Sequence, residues 1–282
     1  MEKENCILIS SGKNWMEQAA KDQLLAVSRL PGVVKAVGLP DLRTLGGGNH
    51  FAEFQCVERI YDQEAAGSLG LCADRILLLV HCGSRGYGQE ILSRFWVPEG
   101  LADGSEQAEA YMAEHDRALR WAVRNRRAAA QKLLAWLGGA SEPELLMDSC
   151  HNYLERTKDG LLHRKGSVSA SKGAVVIPGS RGSLTYVCIP REDTAVSLNS
   201  LSHGAGRKWA RSICKSRIDQ KYDRDSIRCT GLKSRVVCHD TNLLFAEAPE
   251  AYKNVEQVMG VLQEYGLIDI AATLRPLITF KG

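Results

Sequence analysis

The sequence predicts an α+β fold, in which mixed β-sheets are flanked by helices in a single compact domain. Three observations support this prediction: a few long helical stretches, several apolar runs of strand length, and glycine-rich segments that end near histidines. The chain has 282 residues, of which 44% are hydrophobic and 24% charged. This length and composition suit one large domain with a substantial core, so we predict a single domain over residues 1–282.

The first predicted elements are a helix over residues 15–30 and a strand over 33–37. Asn14 is a suitable N-cap for the helix, and Pro31 with Gly32 ends it. The next clear element is the apolar run 76–80, which is far too short to cross a membrane and is typical of a buried strand.

The longest predicted helix covers residues 106–137, beginning after Ser105 and ending at two glycines. Four arginines follow helical spacing on one face of it: Arg117, Arg120, Arg124 and Arg127. We predict that this stripe is a solvated surface, with contact to an RNA backbone as the alternative. Strand-like runs follow at 174–177, 184–189 and 234–237, and a last helix is predicted over 255–265.

Charge and cysteine content exclude several classes of protein. The formal net charge of +3 does not indicate a uniformly basic nucleic-acid binder, although a local basic patch is compatible with it. The first residues are charged and no signal-peptide pattern follows, so we expect a cytoplasmic protein with no membrane association. Nine scattered cysteines without a Cys-x-x-Cys pair favour neither a disulfide framework nor a structural zinc site.

Five histidines lie in segments of glycine and small polar residues, which is the main functional signal. They are His50, His81, His151, His163 and His203. The first three follow or end apolar runs, where a strand can deliver an imidazole into a cleft. Any one of them alone would be read as structural, but together they suggest a transition-metal site.

Three glycine segments, at 46–48, 83–86 and 178–183, are candidates to bend backbone amides around an anion, although ordinary turns explain any one of them equally well. None is a Walker P-loop. Arg85, Arg181 and Arg207 strengthen the phosphate interpretation, because a guanidinium group matches phosphate oxygens. His203, flanked by small residues, is a candidate nucleophile; the alternative is a turn histidine.

Taken together, these motifs resemble the RtcB family of RNA ligases, in its shorter bacterial branch. The matching segments run in order through nearly the whole chain: 30–41, 45–53, 81–88, 151–153, 163–166, 177–186, 202–207, 247–253, 274–276 and 281–282. The resemblance implies an RtcB-like domain with a central cleft for nucleotide and metal. It also implies a GTP- and Mn²⁺-dependent enzyme that joins RNA ends bearing a 3′-phosphate or 2′,3′-cyclic phosphate to 5′-hydroxyl ends, in RNA repair or splicing.

Carried over position by position, the resemblance makes His203 the catalytic residue that receives GMP. It makes His50, His81 and His151 the metal ligands. The residues that it implies for the nucleotide are Asn49, His50, Phe51, Ala52, Glu53, His151, Asn152, Pro178, Gly179, Ser180, Arg181, Thr185, His203, Gly204, Ala205, Gly206 and Lys281. Tyr87, Trp96 and Tyr153 are candidates for stacking on RNA bases.

One departure from the family pattern affects the metal site. The family continues after the segment corresponding to 30–42 with further strands and an Asp-x-x-Cys-Gly segment, whereas here Leu42 runs directly into Arg43. This apparent internal deletion removes an aspartate and a bridging thiolate from the implied two-metal site. Cys82 and Cys150 adjoin the histidines, but we do not expect either to take over. We therefore predict weak or single-metal binding and impaired ligation.

Two alternatives of other classes remain open at this stage. The first is a non-catalytic protein that binds nucleotides or RNA ends with the same fold. The second is a metal-dependent phosphatase or cyclic phosphodiesterase that uses the three histidines.

Overall fold

The structure, a computed structural model, describes residues 4–10 as backbone and residues 45–73, 75–136 and 144–282 in full. The helix predicted over 15–30, the strand predicted over 33–37 and the junction between Leu42 and Arg43 lie outside the described residues. The described strands are β1 (Glu4–Ser10), β2 (Phe51–Ile60), β3 (Ile76–Gly83), β4 (Glu144–Cys150), β5 (Asn152–Thr157), β6 (Gly160–Lys165), β7 (Ser167–Ser169), β8 (Val175–Pro178), β9 (Thr185–Pro190), β10 (Ser200–Ser202), β11 (Arg235–Cys238) and β12 (Ile268–Lys281).

The described α-helices are α1 (Gln63–Ser68), α2 (Gly86–Phe95), α3 (Glu106–Trp136), α4 (Arg211–Ile218), α5 (Thr241–Ala246) and α6 (Val255–Glu264). Short 3₁₀ turns connect several of the later elements. Asp62, Asp240 and Asn254 begin α1, α5 and α6 by accepting hydrogen bonds from backbone N–H groups of the first turn. Within the described chain, no helix has both the length and the apolar character needed to span a bilayer.

One large sheet organises the fold. Its strand order is β4-β1-β3-β2-β12-β9-β8 with antiparallel neighbours, and β11 pairs in parallel with the end of β12. Two small antiparallel ribbons, β5–β6 and β7–β10, complete the described strands. The combination of this sheet with separate helices confirms the predicted α+β class. That one domain extends over all of 1–282 stays a prediction.

The main core lies between this sheet and α3. Alternate residues of the central strands, such as Phe54, Val80 and Phe280, pack with Ala129 and Leu133 of the helix. Because successive side chains of a strand point to opposite faces, the residues between them face the other way. A second core forms where α6 covers the β8–β9 hairpin. The polar residues of β2 and β12 alternate with these core residues, so they share the face of the sheet opposite α3.

The predicted elements that fall within the described residues are confirmed with small shifts at their ends. The run 76–80 lies within β3, in which every residue is buried. The helices predicted over 106–137 and 255–265 correspond to α3 and α6, and the three strand-like runs correspond to β8, β9 and β11. All four arginines of the α3 stripe are exposed, which agrees equally with a solvated surface and with contact to an RNA backbone.

Candidate functional site

A cavity of about 310 Å³ opens where β2, β3, β9 and β12 meet the loops around His203 and Ser180. Its walls hold five cationic side chains and two carboxylates, so its charge favours an anionic ligand. The residues that line it are Asn49, Phe51, Glu53, His81, Lys165, Gly166, Pro178, Gly179, Ser180, Arg181, Thr185, His203, Gly204, Ala205, Gly206, Arg207, Arg211, Glu247, Tyr252, Thr279 and Lys281.

One side of the cavity, here called the β2–β12 wall, is lined by Glu53, Thr279 and Lys281, with the buried Gln55 behind Glu53. The antiparallel pairing of the two strands places Glu53 opposite Thr279, and the Thr279 hydroxyl donates a hydrogen bond to the Glu53 carboxylate. The Gln55 amide donates both to Glu53 Oε1 at 2.7 Å and to Thr185 Oγ1 at 2.9 Å. These bonds hold the carboxylate in one orientation.

Burial shifts the pKa values of the two charged groups of this wall towards each other. Desolvation raises the pKa of Glu53 to about 7, against the opposing effects of its hydrogen bonds with Thr279 and Gln55 and of the Lys281 charge. Desolvation also lowers the pKa of Lys281 to about 8. Lys281 Nζ donates to the backbone oxygen of His50 at 3.1 Å. Both groups are therefore poised to change protonation state near neutral pH.

The opposite side is built by the loop between β8 and β9 and by the segment that follows His203. Ala205 N donates to Pro178 O at 3.2 Å, which docks one segment on the other. A Cβ on Gly204 would lie 2.9 Å from Pro178 O, so glycine is needed for this close approach. Arg181 is buried here; its Nη2 donates to Ile227 O at 2.9 Å, while Nε and Nη1 have no hydrogen-bond partner among the described residues. A bound oxygen would satisfy these two donors.

His203 is oriented by a specific backbone contact. Its Nδ1 lies 2.7 Å from the carbonyl oxygen of Gly166, which can only accept, so Nδ1 carries the proton. The lone pair of the neutral ring is then on Nε2. Gly166 is itself held by its N–H, which donates to Asn152 Oδ1 and to His151 O, both at 2.8 Å. Asn152 therefore holds Gly166 in place, and the carbonyl group of Gly166 orients His203.

Four imidazoles form one group, here called the histidine cluster: His50, His81, His151 and His203. His151 and His203 stack with ring centroids 4.3 Å apart, and His81 lies 6.3 Å from His203. His50 and His81 are 6.0 Å apart by the same measure. The Nε2 atoms of His81 and His151 are 2.9 Å apart. The four segments that carry these residues therefore meet at one place.

Within the cluster, Arg85 determines which nitrogen of His50 accepts a hydrogen bond. Its Nη1 lies 2.6 Å from His50 Nδ1, and because a guanidinium group only donates, Nδ1 must accept. In this arrangement Arg85 occupies the His50 Nδ1 lone pair, and the role of His50 as a metal ligand stays a prediction. A Cβ on Gly46 would lie 1.7 Å from the Arg85 guanidinium carbon, and Gly46 also has a φ of +85°. Glycine at 46 therefore leaves the space that Arg85 occupies.

The described residues do not form a complete metal site. In octahedral coordination two neighbouring nitrogens, each about 2.1 Å from the cation, lie about 3.0 Å apart, so the 2.9 Å between the Nε2 atoms of His81 and His151 is compatible with a pair of ligands. Within the described ranges, however, no group of three His, Cys, Asp or Glu side chains is arranged to hold a metal ion. Cys82 does not help, since it packs in the core and burial raises its pKa to about 11.

Most of the predicted nucleotide residues lie on the cavity wall, and four do not. His50, His151 and Asn152 stand behind the wall, in contact with residues that form it. Ala52 points away into the main core. The predicted wall residues are Asn49, Phe51, Glu53, Pro178, Gly179, Ser180, Arg181, Thr185, His203, Gly204, Ala205, Gly206 and Lys281.

Other residues of the predicted motifs have different places. His163 lines an apolar hollow with Phe95 and Trp96, so its imidazole is not part of the cluster, although its neighbour Gly166 is at the site. Tyr153 is buried against Arg164. Its ring is not presented for stacking.

Several wall residues are not among those predicted from the sequence: Lys165, Arg211, Glu247, Tyr252 and Thr279. Thr279 could have been found, because it lies two residues before Lys281 on the same face of a strand. The buried Glu247 carboxylate accepts from Arg207 Nη1 at 3.1 Å and from Arg211 Nε at 2.9 Å. These ion pairs join residues 40 and 36 positions apart, so no short sequence motif indicates them.

Comparison with known proteins adds to this geometry. The family model described as tRNA-splicing ligase RtcB matches residues 11–98 and 99–282. The RNA-splicing ligase RtcB2 of Escherichia coli is 43% identical over 248 residues, which cover 86% of this chain and 65% of that protein. The tRNA-splicing ligases RtcB of Archaeoglobus fulgidus and Pyrococcus furiosus are 30% and 29% identical, covering 87% and 88% of this chain but 60% and 30% of theirs. The chain thus spans less than two thirds of the length of these relatives.

Proposed function

The chain belongs to the RtcB family, and from this premise we propose that it is an RNA ligase that works through a guanylylated histidine. It would use GTP and Mn²⁺ to join an RNA 3′-phosphate or 2′,3′-cyclic phosphate to a 5′-hydroxyl, in RNA repair or splicing. The names of its relatives, which are RNA- and tRNA-splicing ligases, support this substrate class.

The observation that carries the proposal is the orientation of His203. Its Nδ1–H is bound to Gly166 O, so the lone pair on Nε2 is the one that can attack. In the proposed first step, Nε2 forms a bond to the α-phosphorus of GTP while the bond to pyrophosphate breaks. A 3′-phosphate oxygen of the RNA then takes the guanylyl group from His203. Finally, the 5′-hydroxyl attacks that phosphate and GMP leaves.

The β2–β12 wall supports guanine as the base. Guanine presents the O6 and N7 acceptors and an amino donor at N2. The ionised Glu53 carboxylate accepts from donors, and the Lys281 ammonium donates to acceptors. Adenine has an amino group in place of O6 and no amino group at N2, so it matches this pair poorly. Phe51, whose ring centroid lies 5.9 Å from Lys281 Nζ, adds an aromatic face for a base.

The cationic residues support a triphosphate. Arg181 has two buried N–H donors that require an acceptor, and Lys165 with Arg207 and Arg211 adds positive charge to the same cavity. Bound Mn²⁺ would neutralise phosphate charge, and we propose His81 and His151 as the imidazoles that would hold it. The described residues supply only this pair, which favours weak binding of one ion and slow guanylylation.

The test is incubation of the purified chain with GTP labelled at the α-phosphate and Mn²⁺. We expect a covalent adduct that resists denaturation, and we expect His203→Ala to lose it while keeping the melting temperature of the parent. His163→Ala is the matched control, because it removes an imidazole outside the histidine cluster. A labelled adduct that persists in His203→Ala would contradict the proposal.

Among the residues that the structure describes, no third ligand joins the proposed pair, which favours one second candidate: a protein of this fold that binds guanine nucleotides or RNA ends without joining them. GTP binding that does not depend on Mn²⁺, together with no adduct at any Mn²⁺ concentration, would favour this candidate. A phosphatase or cyclic phosphodiesterase is the remaining alternative. It would release inorganic phosphate from a 3′-phosphorylated RNA, or open a cyclic phosphate, without forming an adduct.

A further inference from the structure

A second concave surface lies on α3 and shares no lining residue with the nucleotide cavity. This groove has a volume of about 440 Å³ and is lined by Tyr87, Arg117, Arg120, Trp121 and Arg124. The four α3 residues follow the spacing i, i+3, i+4 and i+7, so they form one helical face. Tyr87 closes the groove from the first turn of α2.

The groove is positively charged. Arg120 and Arg124 are exposed, and within the part of the chain that the structure describes they form no hydrogen bond or ion pair. Arg117 is paired with Glu114 at 2.6 Å, a carboxylate that Arg94 and the Tyr87 hydroxyl also contact. From Arg117 onwards α3 contains no aspartate or glutamate, so positive charge dominates this face.

The groove also offers aromatic faces. The Trp121 side chain is 39% exposed although it lies in the middle of the arginine face, and its ring is 6.4 Å from that of Tyr87, tilted by 58°. A basic groove with exposed aromatic rings is the usual binding surface for single-stranded nucleic acid, since phosphates pair with the cations and unstacked bases lie on the rings. A duplex keeps its bases stacked and would not reach these rings.

The groove lies a short distance along the chain from the histidine cluster. Tyr87 follows Arg85, the contact of His50, by two residues. It follows His81 by six residues, so their Cα atoms are separated by at most about 22 Å. Asn125 of α3 donates to Gly83 O at 3.3 Å, which fixes the helix to the end of β3. An RNA whose end lies at His203 can therefore reach the groove within a few nucleotides.

We propose that this groove binds the single-stranded RNA next to the end that reacts at His203. The proposal rests on the proposed function for the identity of that end, but RNA binding by the groove can be measured without ligation. It assigns to Arg120, Arg124 and Trp121 a role in holding the substrate strand, outside the nucleotide cavity.

The test is fluorescence anisotropy with a labelled single-stranded 12-nucleotide RNA bearing a 3′-phosphate, without GTP or Mn²⁺. We expect Arg120→Gln/Arg124→Gln to raise Kd about tenfold or more and to reduce the slope of log Kd against log salt by about 1.4, since each lost phosphate contact removes about 0.7. The charge-matched control is Arg127→Gln/Lys132→Gln, which changes two exposed cations of the same helix outside the groove. We expect the control to change Kd by less than about twofold.

Trp121→Ala tests the stacking separately. We expect the affinity for single-stranded RNA to fall at least about fivefold, with an unchanged slope of log Kd against log salt. The affinity for a duplex of the same sequence should change little. If the arginine double variant binds like its control, or if Trp121→Ala binds single strands like the parent, the proposal is wrong.

Guanylylation of the same variants separates the two proposals. Weakened RNA binding with an adduct at the parental level supports both. If the parent forms no adduct but the arginine variant still binds RNA less well than its control, the ligase proposal fails and the groove remains. If adduct formation is normal and RNA binding is unchanged, only the groove proposal fails.

Discussion

The β2–β12 wall and the histidine cluster, the two ends of the site, differ in how completely their polar groups are arranged for a ligand. The β2–β12 wall is a closed network in which Glu53 is held by Thr279 and Gln55 and faces a buried ammonium group. The histidine cluster, by contrast, brings four imidazoles together but no carboxylate or thiolate that would complete a metal site within the described residues. The proposed recognition of guanine uses two paired strands, whereas the proposed metal site would need ligands from further segments. The first function can therefore persist where the second is weakened.

The largest expected effects come from one substitution in the histidine cluster and one in the β2–β12 wall, made separately. We expect His81→Ala to lower Mn²⁺ affinity at least about tenfold, measured by electron paramagnetic resonance, and to reduce the GMP adduct to background, because it removes one of the two proposed ligands. GTP affinity measured without Mn²⁺ should change little. Chelation of the metal with EDTA should reproduce this separation in the unmodified chain.

Lys281→Met should have the reverse effect. Removing the buried ammonium leaves Glu53 without its cation, so we expect GTP affinity to fall at least about 30-fold while Mn²⁺ affinity is kept. If both variants lose metal and nucleotide binding together, the two ends are not separable and the comparison is wrong.

The next effect concerns pH and tests the β2–β12 wall alone. With a pKa of about 7 for Glu53 and about 8 for Lys281, the state in which both groups are ionised is most populated between these two values and declines on either side. We expect GTP affinity to be greatest between about pH 7 and 8 and to fall towards about tenfold per pH unit on either side. Glu53→Gln should abolish the acidic limb and weaken the preference for GTP over ATP, both measured by calorimetric titration.

The same variant has an opposite effect on stability. The pKa of Glu53 is raised on folding, so the folded protein retains a proton that the unfolded chain loses between about pH 4.5 and 7, and stability falls across that range. Above pH 7 the buried carboxylate is ionised at a cost. Glu53→Gln should therefore increase the free energy of unfolding by about 1–3 kcal/mol at pH 8, with exposed Glu99→Gln unchanged as the control. A destabilised Glu53→Gln at pH 8 would contradict this.

What could be predicted from the sequence follows from the range of the interactions. The apolar run of β3 and the periodicity of α3 identify their elements, because the pattern and the structure are both local. The motifs around His50 and His203 indicate the site, because imidazole can bind a metal or act as a nucleophile and glycine lets the backbone approach a ligand. The partnership of Glu53 with Thr279 could not be read, because it arises from strand pairing across 226 positions. The contact between Arg85 and His50 could not be predicted either, because the two side chains are 35 positions apart and meet only in space.

The smallest expected effect tests whether Thr185 belongs to the β2–β12 network through its hydroxyl alone. Thr185 Oγ1 accepts from the Gln55 amide at 2.9 Å, and serine keeps that acceptor while losing one buried methyl group. We expect Thr185→Ser to cost about 1 kcal/mol or less in unfolding free energy and to change GTP affinity by less than about threefold. The isosteric Thr185→Val removes the acceptor and leaves a buried N–H without a partner, so it should cost about 1–3 kcal/mol and loosen Glu53. Equal behaviour of the two variants in denaturant unfolding would mean that the methyl group, not the hydrogen bond, is what this position contributes.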